Sequence, residues 1–398
     1  MAGPTITVLA DDLTGAAEIA AIGNNHNLPA RIFSSTATER PACAGVSVHD
    51  TDSRLLTAGE AAARVATLAR ALPVQNSVVY KKTDSVLRGN VVAECVALAN
   101  TLGFTRILLV PANPSLGRTI SQGQYFVQGQ PIHETAFARD PHHPALSSSV
   151  IDLLGTSPAD WTVTVVKPGT RLPTRGIIVG EATSAEDVIF WAQQIDKATL
   201  AAGGAEYFRA CLKQLGAKHK SSPTPNVQGT TLVITGSLTP ARQNLIAHAK
   251  AAGWPLEPMP VAYAKSDADP SIFNRWALPV IHALRTHQLT LCLSPGLNVD
   301  DATQALRIRE GFGKLVQQLH ESGLLEHLIV EGGATAAAIS DANGWTSFDV
   351  AGEWSPGVIA LHPTQAPQLL LTIKPGSYAW PENLWRLLDS CLKPAAKS

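Results

Sequence analysis

Short, continuously apolar runs alternate along the chain with longer stretches whose apolar positions recur at helical spacing. In the first half, the runs at residues 5–10, 30–33, 45–48, 77–81, 106–110, 161–166 and 176–179 predict strands. The stretches 14–22, 58–71, 91–101 and 184–200 predict helices. A strand that is apolar at every position, rather than every second one, has both sheet faces covered by helices. The β-then-α rhythm therefore predicts a doubly wound, largely parallel sheet. Residues 217–229 (AKHKSSPTPNVQG) break the rhythm: they are polar, carry two prolines and have no period, as a linker does. The rhythm resumes with a strand at 231–235, a helix from Thr239, a strand at 289–293, a helix at 303–320 and a strand at 328–330. The expected fold class is α/β, with two domains at 1–216 and 230–398. Each is a largely parallel sheet flanked by helices, with an interdomain cleft.

Composition narrows the class. Charged residues make up only 16% against 45% hydrophobic, so the chain has ample material for buried cores and is no disordered scaffold. Lys+Arg 31 against Asp+Glu 32 leaves a net charge of -1, which excludes a basic field for a nucleic-acid backbone. No apolar run approaches the roughly 20 residues that span a bilayer. The start MAGPTITVLADDLTG has no basic n-region, and its apolar stretch ends at two aspartates, unlike a signal peptide. Cys43, Cys95, Cys211, Cys292 and Cys391 lie far apart without metal-ligand spacing, as reduced thiols of a cytoplasmic protein would. A soluble cytoplasmic protein with no membrane partner is expected, and a homodimer is the default assembly.

In open α/β sheets, ligands bind at the carboxyl ends of strands. Those ends are loaded in the first half: Asp11, Asp12 and Thr14 after the first strand, then His49, Asp50, Ser53 and Arg54, then Lys82, Asp84, Ser85, Arg88 and Gly89. Arginine forks onto a carboxylate, while Asp and Ser accept from hydroxyls, so the set suits a small polyhydroxylated anion. Each residue also has a structural use: Asp12 as a helix N-cap, Asp11 as a partner of loop amides, Asp84 with Arg88 as a helix-entry pair. Their convergence at one sheet edge is the signal. In the second half, Gly236-Ser237, Gly332-Gly333-Ala334-Thr335 and Gly376 follow strands, and such turns at helix starts expose amides to a phosphate. They are also ordinary tight turns. Neither a P-loop nor a Rossmann fingerprint is present. His133, Asp140, His142 and His143 cluster in a loop-like stretch and read as solvated or turn residues, so no metal site is assigned to them.

The segments ADDLTGAAE (10–18), KKTDSVLRG (81–89), PANPSLGRT (111–119) and HETAFARDPHHP (133–144) resemble the four-carbon acid sugar kinase family. So do TGSLTPARQ (235–243), EGGATAAA (331–338) and IKPGSYA (373–379). The resemblance implies a kinase that uses ATP and Mg²⁺ to phosphorylate the terminal hydroxyl of threonate, erythronate or an oxo-tetronate. It implies that the sugar acid binds the N-terminal domain and the nucleotide the C-terminal one. On that reading Arg88 and Arg54 meet the substrate carboxylate, with Asp11, Ser85 and Gly89 beside them, and Lys82 adds positive charge. Asp12 or Asp84 accepts the proton. Gly332, Gly333, Ala334 and Thr335 cradle the nucleotide, flanked by Ser237 and Gly376. Val86 stands where the family usually has Thr. The rival expectation is a non-catalytic two-domain protein that senses a sugar acid, which would need no nucleotide cradle.

Overall fold

The computed structural model describes residues 5–41, 44–74, 77–140, 142–220, 224–225, 227, 229–236, 240–265, 270–295 and 302–392. The chain divides into two compact units, Met1–Ser221 and Ser222–Ser398.

The first unit runs β1 (Ile6–Ala10), α1 (Leu13–Asn24), β2 (Ala30–Phe33), β3 (Val46–Asp50), α2 (Ala58–Ala71), β4 (Val78–Lys82), α3 (Val91–Leu102) and β5 (Arg106–Val110). A small antiparallel excursion follows, β6 (Arg118–Ser121), β7 (Gln124–Val127) and β8 (Gln130–Pro131), then α4 (Val150–Leu154). The unit closes with β9 (Val163–Val166), β10 (Gly176–Gly180), α5 (Ala185–Ala192), β11 (Thr199–Gly203) and α6 (Ala205–Gln214). Its main sheet has the order β2-β3-β1-β4-β11-β5-β10-β9, all parallel. The central strands β1, β3, β10 and β11 are buried at every position, as the continuous apolar runs require.

One expectation fails here. The predicted helix at 184–200 is two elements. A capping box between Ser184 and Asp187 starts α5, which stops at Ala192. The Asp196 carboxylate then accepts from the amide of Ala198 at 3.0 Å and from the Thr199 hydroxyl, turning the chain into β11. That strand, TLAAG, carries alanines and glycine instead of the branched residues that mark strands. It holds because it fills the slot between β4 and β5. A Cβ on Gly203 would stand 2.2 Å from the Val110 carbonyl oxygen, so only glycine fits there. The strands at 45–48 and 77–81 are also shifted, to 46–50 and 78–82, which draws His49, Asp50 and Lys82 into the sheet.

The second unit runs β12 (Thr231–Thr235), α7 (Pro240–Ala252), β13 (Leu256–Pro258), α8 (Val261–Lys265), α9 (Pro270–His287), β14 (Leu289–Leu293), α10 (Ala302–Glu321), β15 (His327–Glu331) and α11 (Gly333–Ala342). It ends with β16 (Ser347–Ser355), β17 (Val358–Pro363), β18 (Leu370–Lys374) and α12 (Glu382–Cys391). The order is β13-β14-β12-β15-β18-β17-β16, parallel as far as β18 and antiparallel beyond it. The hairpin β16–β17 was not read from the sequence. Val233, Leu291, Ile329, Trp354 and Leu384 sit in one buried cluster. Thr239, the expected start of α7, lies outside the described residues. No helix among the described residues is long and apolar enough to cross a membrane.

Candidate active site

In the first unit the carboxyl ends of β1, β3 and β4 bring two arginines and four aspartates together. The amides of Ser53 and Arg54 both reach the Asp11 carbonyl, at 3.0 and 3.3 Å, which binds the loop after β3 to the end of β1. Arg54 then points across the sheet end. Its Nε is 2.7 Å from Asp11 Oδ2, its Nη1 2.7 Å from Asp12 Oδ2, and its Nη2 3.8 Å from Asp84 Oδ1. Asp12 does both things the sequence left open: its Oδ1 caps α1 through the Gly15 amide at 2.8 Å while Oδ2 holds Arg54.

Asp84 organises the next loop. Its Oδ2 accepts from the amides of Val86 and Arg88, each at 3.2 Å, and from Arg88 Nε at 3.0 Å, while Oδ1 accepts from Arg88 Nη2 at 2.9 Å. Leu87, between those amides, is held at φ 64°, a strained left-handed conformation for a residue with a Cβ. Burial would raise the Asp84 carboxyl, but Arg88 and Arg54 outweigh it and hold the group well below the usual range. Asp11 is lowered in the same way, burial opposing and Arg54 with Lys81 prevailing. Asp50 goes the other way: burial and the neighbouring Asp52 push it well up. Ser85 is buried, its hydroxyl bound by Arg118 and its carbonyl by the Tyr125 hydroxyl.

Beneath this edge lies a network that sequence reasoning missed. Lys81 Nζ sits 2.7 Å from Glu94 Oε2, the side chains 0% and 2% exposed. Glu94 Oε1 accepts from the Ser53 hydroxyl at 2.9 Å, and Ser53 meets Thr51 at 2.6 Å. Burial disfavours the Lys81 ammonium, but Glu94 and Asp11 more than offset it, so its pKa is raised. Lys82, the lysine singled out earlier, gives a hydrogen bond to the Thr83 carbonyl at 3.0 Å and lies 3.8 Å from Glu18. Both lysines are buried because each face of β4 is covered; the pair KK by itself carried no sign of which one would be enclosed.

The segment with three histidines needs correction. Asp140 is no mere turn residue: its Oδ1 takes the amides of His142 and His143, at 3.0 and 2.9 Å, while its Oδ2 takes Arg88 Nη1 at 3.1 Å. His143 Nε2 lies 3.0 Å from the Arg54 carbonyl oxygen. His133 meets Ser148 instead. Phe137 carries the guanidiniums of Arg88 and Arg118, each 5.7 Å from its ring centre. A cleft of about 260 Å³ opens beside Arg88, Gly89, Phe137 and His143.

In the second unit, parallel pairing sets Glu331 beside both Thr235 and Lys374. Lys374 Nζ is 2.8 Å from Glu331 Oε1, both side chains fully buried, and the Thr235 hydroxyl gives to Oε2 at 2.6 Å. Burial lowers the Lys374 pKa, and the Glu331 partner opposes that. Directly above, Gly332 takes φ 112°, and a Cβ there would meet nothing nearer than Thr335 Oγ1 at 3.8 Å. No side chain among the described residues caps α11. Among those residues the turn is open on the outside and its helix start uncapped, which fits a phosphate group. Glu331 is already satisfied, and no cluster of His, Cys, Asp or Glu suited to a metal occurs among the described residues. A magnesium ion here would rest on phosphate oxygens and water, as it commonly does. Gly376 sits half-buried in the turn after β18, and Ser237 lies outside the described residues.

Two family models match: one described as a sugar-binding N-terminal domain, over residues 6–171, and one as a nucleotide-binding C-terminal domain, over 232–378. The chain is 38% identical to a D-threonate kinase of Bordetella bronchiseptica over 164 residues, 39% of this chain and 40% of that protein. Against a 3-oxo-tetronate kinase of Brucella melitensis it is 25% identical over 93% of this chain and 92% of the relative. The fold is shared with a solved Haemophilus influenzae protein at TM-score 0.70 and 19% identity, over 97% of this chain and 99% of that one. The match to the D-threonate kinase thus spans less than half of that relative, whereas the 3-oxo-tetronate kinase aligns nearly end to end.

Proposed function

Because the chain belongs to the four-carbon acid sugar kinase family, we propose that it is an ATP-dependent kinase for the terminal hydroxyl of threonate, erythronate or an oxo-tetronate. The observation that carries this reading is the cluster of Arg54 and Arg88 with Asp11, Asp12 and Asp84, inside the segment that matches a sugar-binding domain. Bound ATP would supply the phosphoryl group, with Mg²⁺ neutralising charge on its phosphates.

The chain's own residues supply position and charge. Arg88 and Arg54 receive the acid's carboxylate, Asp11, Ser85 and Gly89 line its seat, and Lys82 contributes positive potential. Asp84 is held well below the usual carboxylate range by Arg88 and Arg54, which makes it a poor base. Its role is to hold Arg88. Asp12, at the partly exposed start of α1, is assigned to accept the hydroxyl proton. The amides of Gly333, Ala334 and Thr335, released by the turn at Gly332, hold the nucleotide's phosphates, with Ser237 and Gly376 alongside.

The test is ADP release with Mg²⁺ across D- and L-threonate, D- and L-erythronate, their oxo-acids, glycerate and five-carbon acids. One clear responder names the substrate. Silence across the panel with ATP still bound moves the substrate outside the four-carbon acids, and absence of ATP binding ends the kinase reading. Gly333→Asp is expected to abolish nucleotide binding by bulk and like charge, and unchanged ATP affinity would remove the cradle.

A further inference from the structure

Arg54 and Arg88 carry two positive charges, yet four carboxylates already contact them: Asp11, Asp12, Asp84 and Asp140. A substrate carboxylate entering this cluster would be a fifth on these two guanidiniums, with Lys81 and Lys82 as further cations facing Asp11 and Asp84, so it must compete with a resident for the same N–H donors. Three are fixed. Asp11 and Asp12 follow β1 directly, Asp12 caps α1, and Asp84 takes two amides of its own loop and two nitrogens of Arg88.

Asp140 also takes two amides of its own loop, but it differs in its place in the fold and in its hold on Arg88. It comes from the excursion outside the main sheet and meets Arg88 through one bond, Nη1 to Oδ2 at 3.1 Å, the longest of that guanidinium's contacts. Its side chain is 17% exposed, against 5%, 15% and 8% for Asp11, Asp12 and Asp84. Its other oxygen keeps the amides of His142 and His143, so it can leave Arg88 without being stranded. Arg88 Nε and Nη2 remain on Asp84 throughout, and Arg88 lines the cleft of about 260 Å³.

We propose that Asp140 is an internal stand-in for the substrate carboxylate: it holds the outer edge of Arg88 in the empty site and is displaced when the sugar acid arrives. The inference rests on the reading that Arg88 receives that carboxylate. It makes Asp140 a determinant of affinity with a sign opposite to that of a ligand-binding residue, since the resident carboxylate competes with the incoming one.

Calorimetric titration of the full chain with D-threonate, L-threonate and D-erythronate, without nucleotide, tests it. Asp140→Asn should bind the preferred acid several-fold more tightly than the wild type, and Asp140→Glu, which keeps the charge, should track the wild type. Weaker or unchanged binding by Asp140→Asn overturns the proposal, as does equal tightening in both variants. Failure of both wild type and Asp140→Asn to bind any of the three acids overturns it too. Acid binding that behaves as proposed, without ADP release in the parallel assay, would defeat the kinase reading while leaving this one standing.

Discussion

Replacing Lys81 by methionine removes one half of an ion pair that is all but closed to solvent. Glu94, 2% exposed, would keep only the Ser53 hydroxyl at 2.9 Å. Breaking such a pair costs about 3–5 kcal/mol, because the surviving charge stays buried without its partner. Glu94→Leu should cost a similar amount, since the ammonium would keep only the Lys82 carbonyl at 3.0 Å. The double variant Lys81→Met/Glu94→Leu removes both charges and replaces them with apolar groups of like volume, which returns stability to within about 1–2 kcal/mol of the wild type. The coupling is thus larger than either single effect and approaches their sum. For a unit of this size each kcal/mol moves the midpoint by about 2–4 °C, so each single variant should melt roughly 6–20 °C lower. Urea titration read by hydrogen exchange in peptides from β4 and α3 isolates the first unit's transition from the second's. A single variant costing under about 1 kcal/mol, or a double variant as unstable as the singles, would refute the argument.

Three further outcomes follow from the geometry. Burial holds His49 and His327 neutral, each at about 3, so the unfolded chain takes up protons first as pH falls below about 6.5. Each should contribute its full stability above that value and lose about 2 kcal/mol by pH 5, the loss continuing towards pH 3; urea midpoints that do not move between pH 7 and pH 5 would contradict this. Arg88→Ala strips Asp84 of its main counter-charge and should raise KM for the sugar acid roughly thirtyfold, corresponding to about 2 kcal/mol, with ATP affinity unchanged, and full retention of activity would remove Arg88 from the site. Gly203→Ala drives a Cβ to 2.2 Å from the Val110 carbonyl and should cost about 2–3 kcal/mol in thermal unfolding, so a neutral result would mean that β11 is not wedged as described.

What the sequence revealed tracks how local the physics is. Strands β1, β5 and β10 were readable because burial on both faces writes a mostly apolar run, and α2 because its apolar positions recur at helical spacing. Strand β11 was not, since Thr-Leu-Ala-Ala-Gly becomes a strand only through the two neighbours that enclose it. The same division holds at the site. Asp11, Asp12, Arg54, Asp84 and Arg88 were visible because each lies in the stretch that follows a strand's carboxyl end. Lys81 with Glu94, and Arg88 with Asp140, were not, because no spacing rule joins a strand lysine to a helix glutamate or a loop to a residue 52 positions away.

The late arrival of β11 also bears on how the first unit is made. Strands β4 and β5 leave the ribosome early but do not pair with each other; both wait for residues 199–203, and β5 waits for β10 as well. Until then the nascent chain holds two sheet fragments with open interior edges, the kind of edge that pairs wrongly when another chain is near. Contacts of such long reach in sequence also slow the search for the native state. A fragment ending at residue 171, where the match to the sugar-binding domain stops, would keep Arg54, Asp84 and Arg88 yet lack the strand that joins their half of the sheet to the rest. It would carry these residues without being a folding unit, so the smallest piece able to present them runs on through β11 and α6.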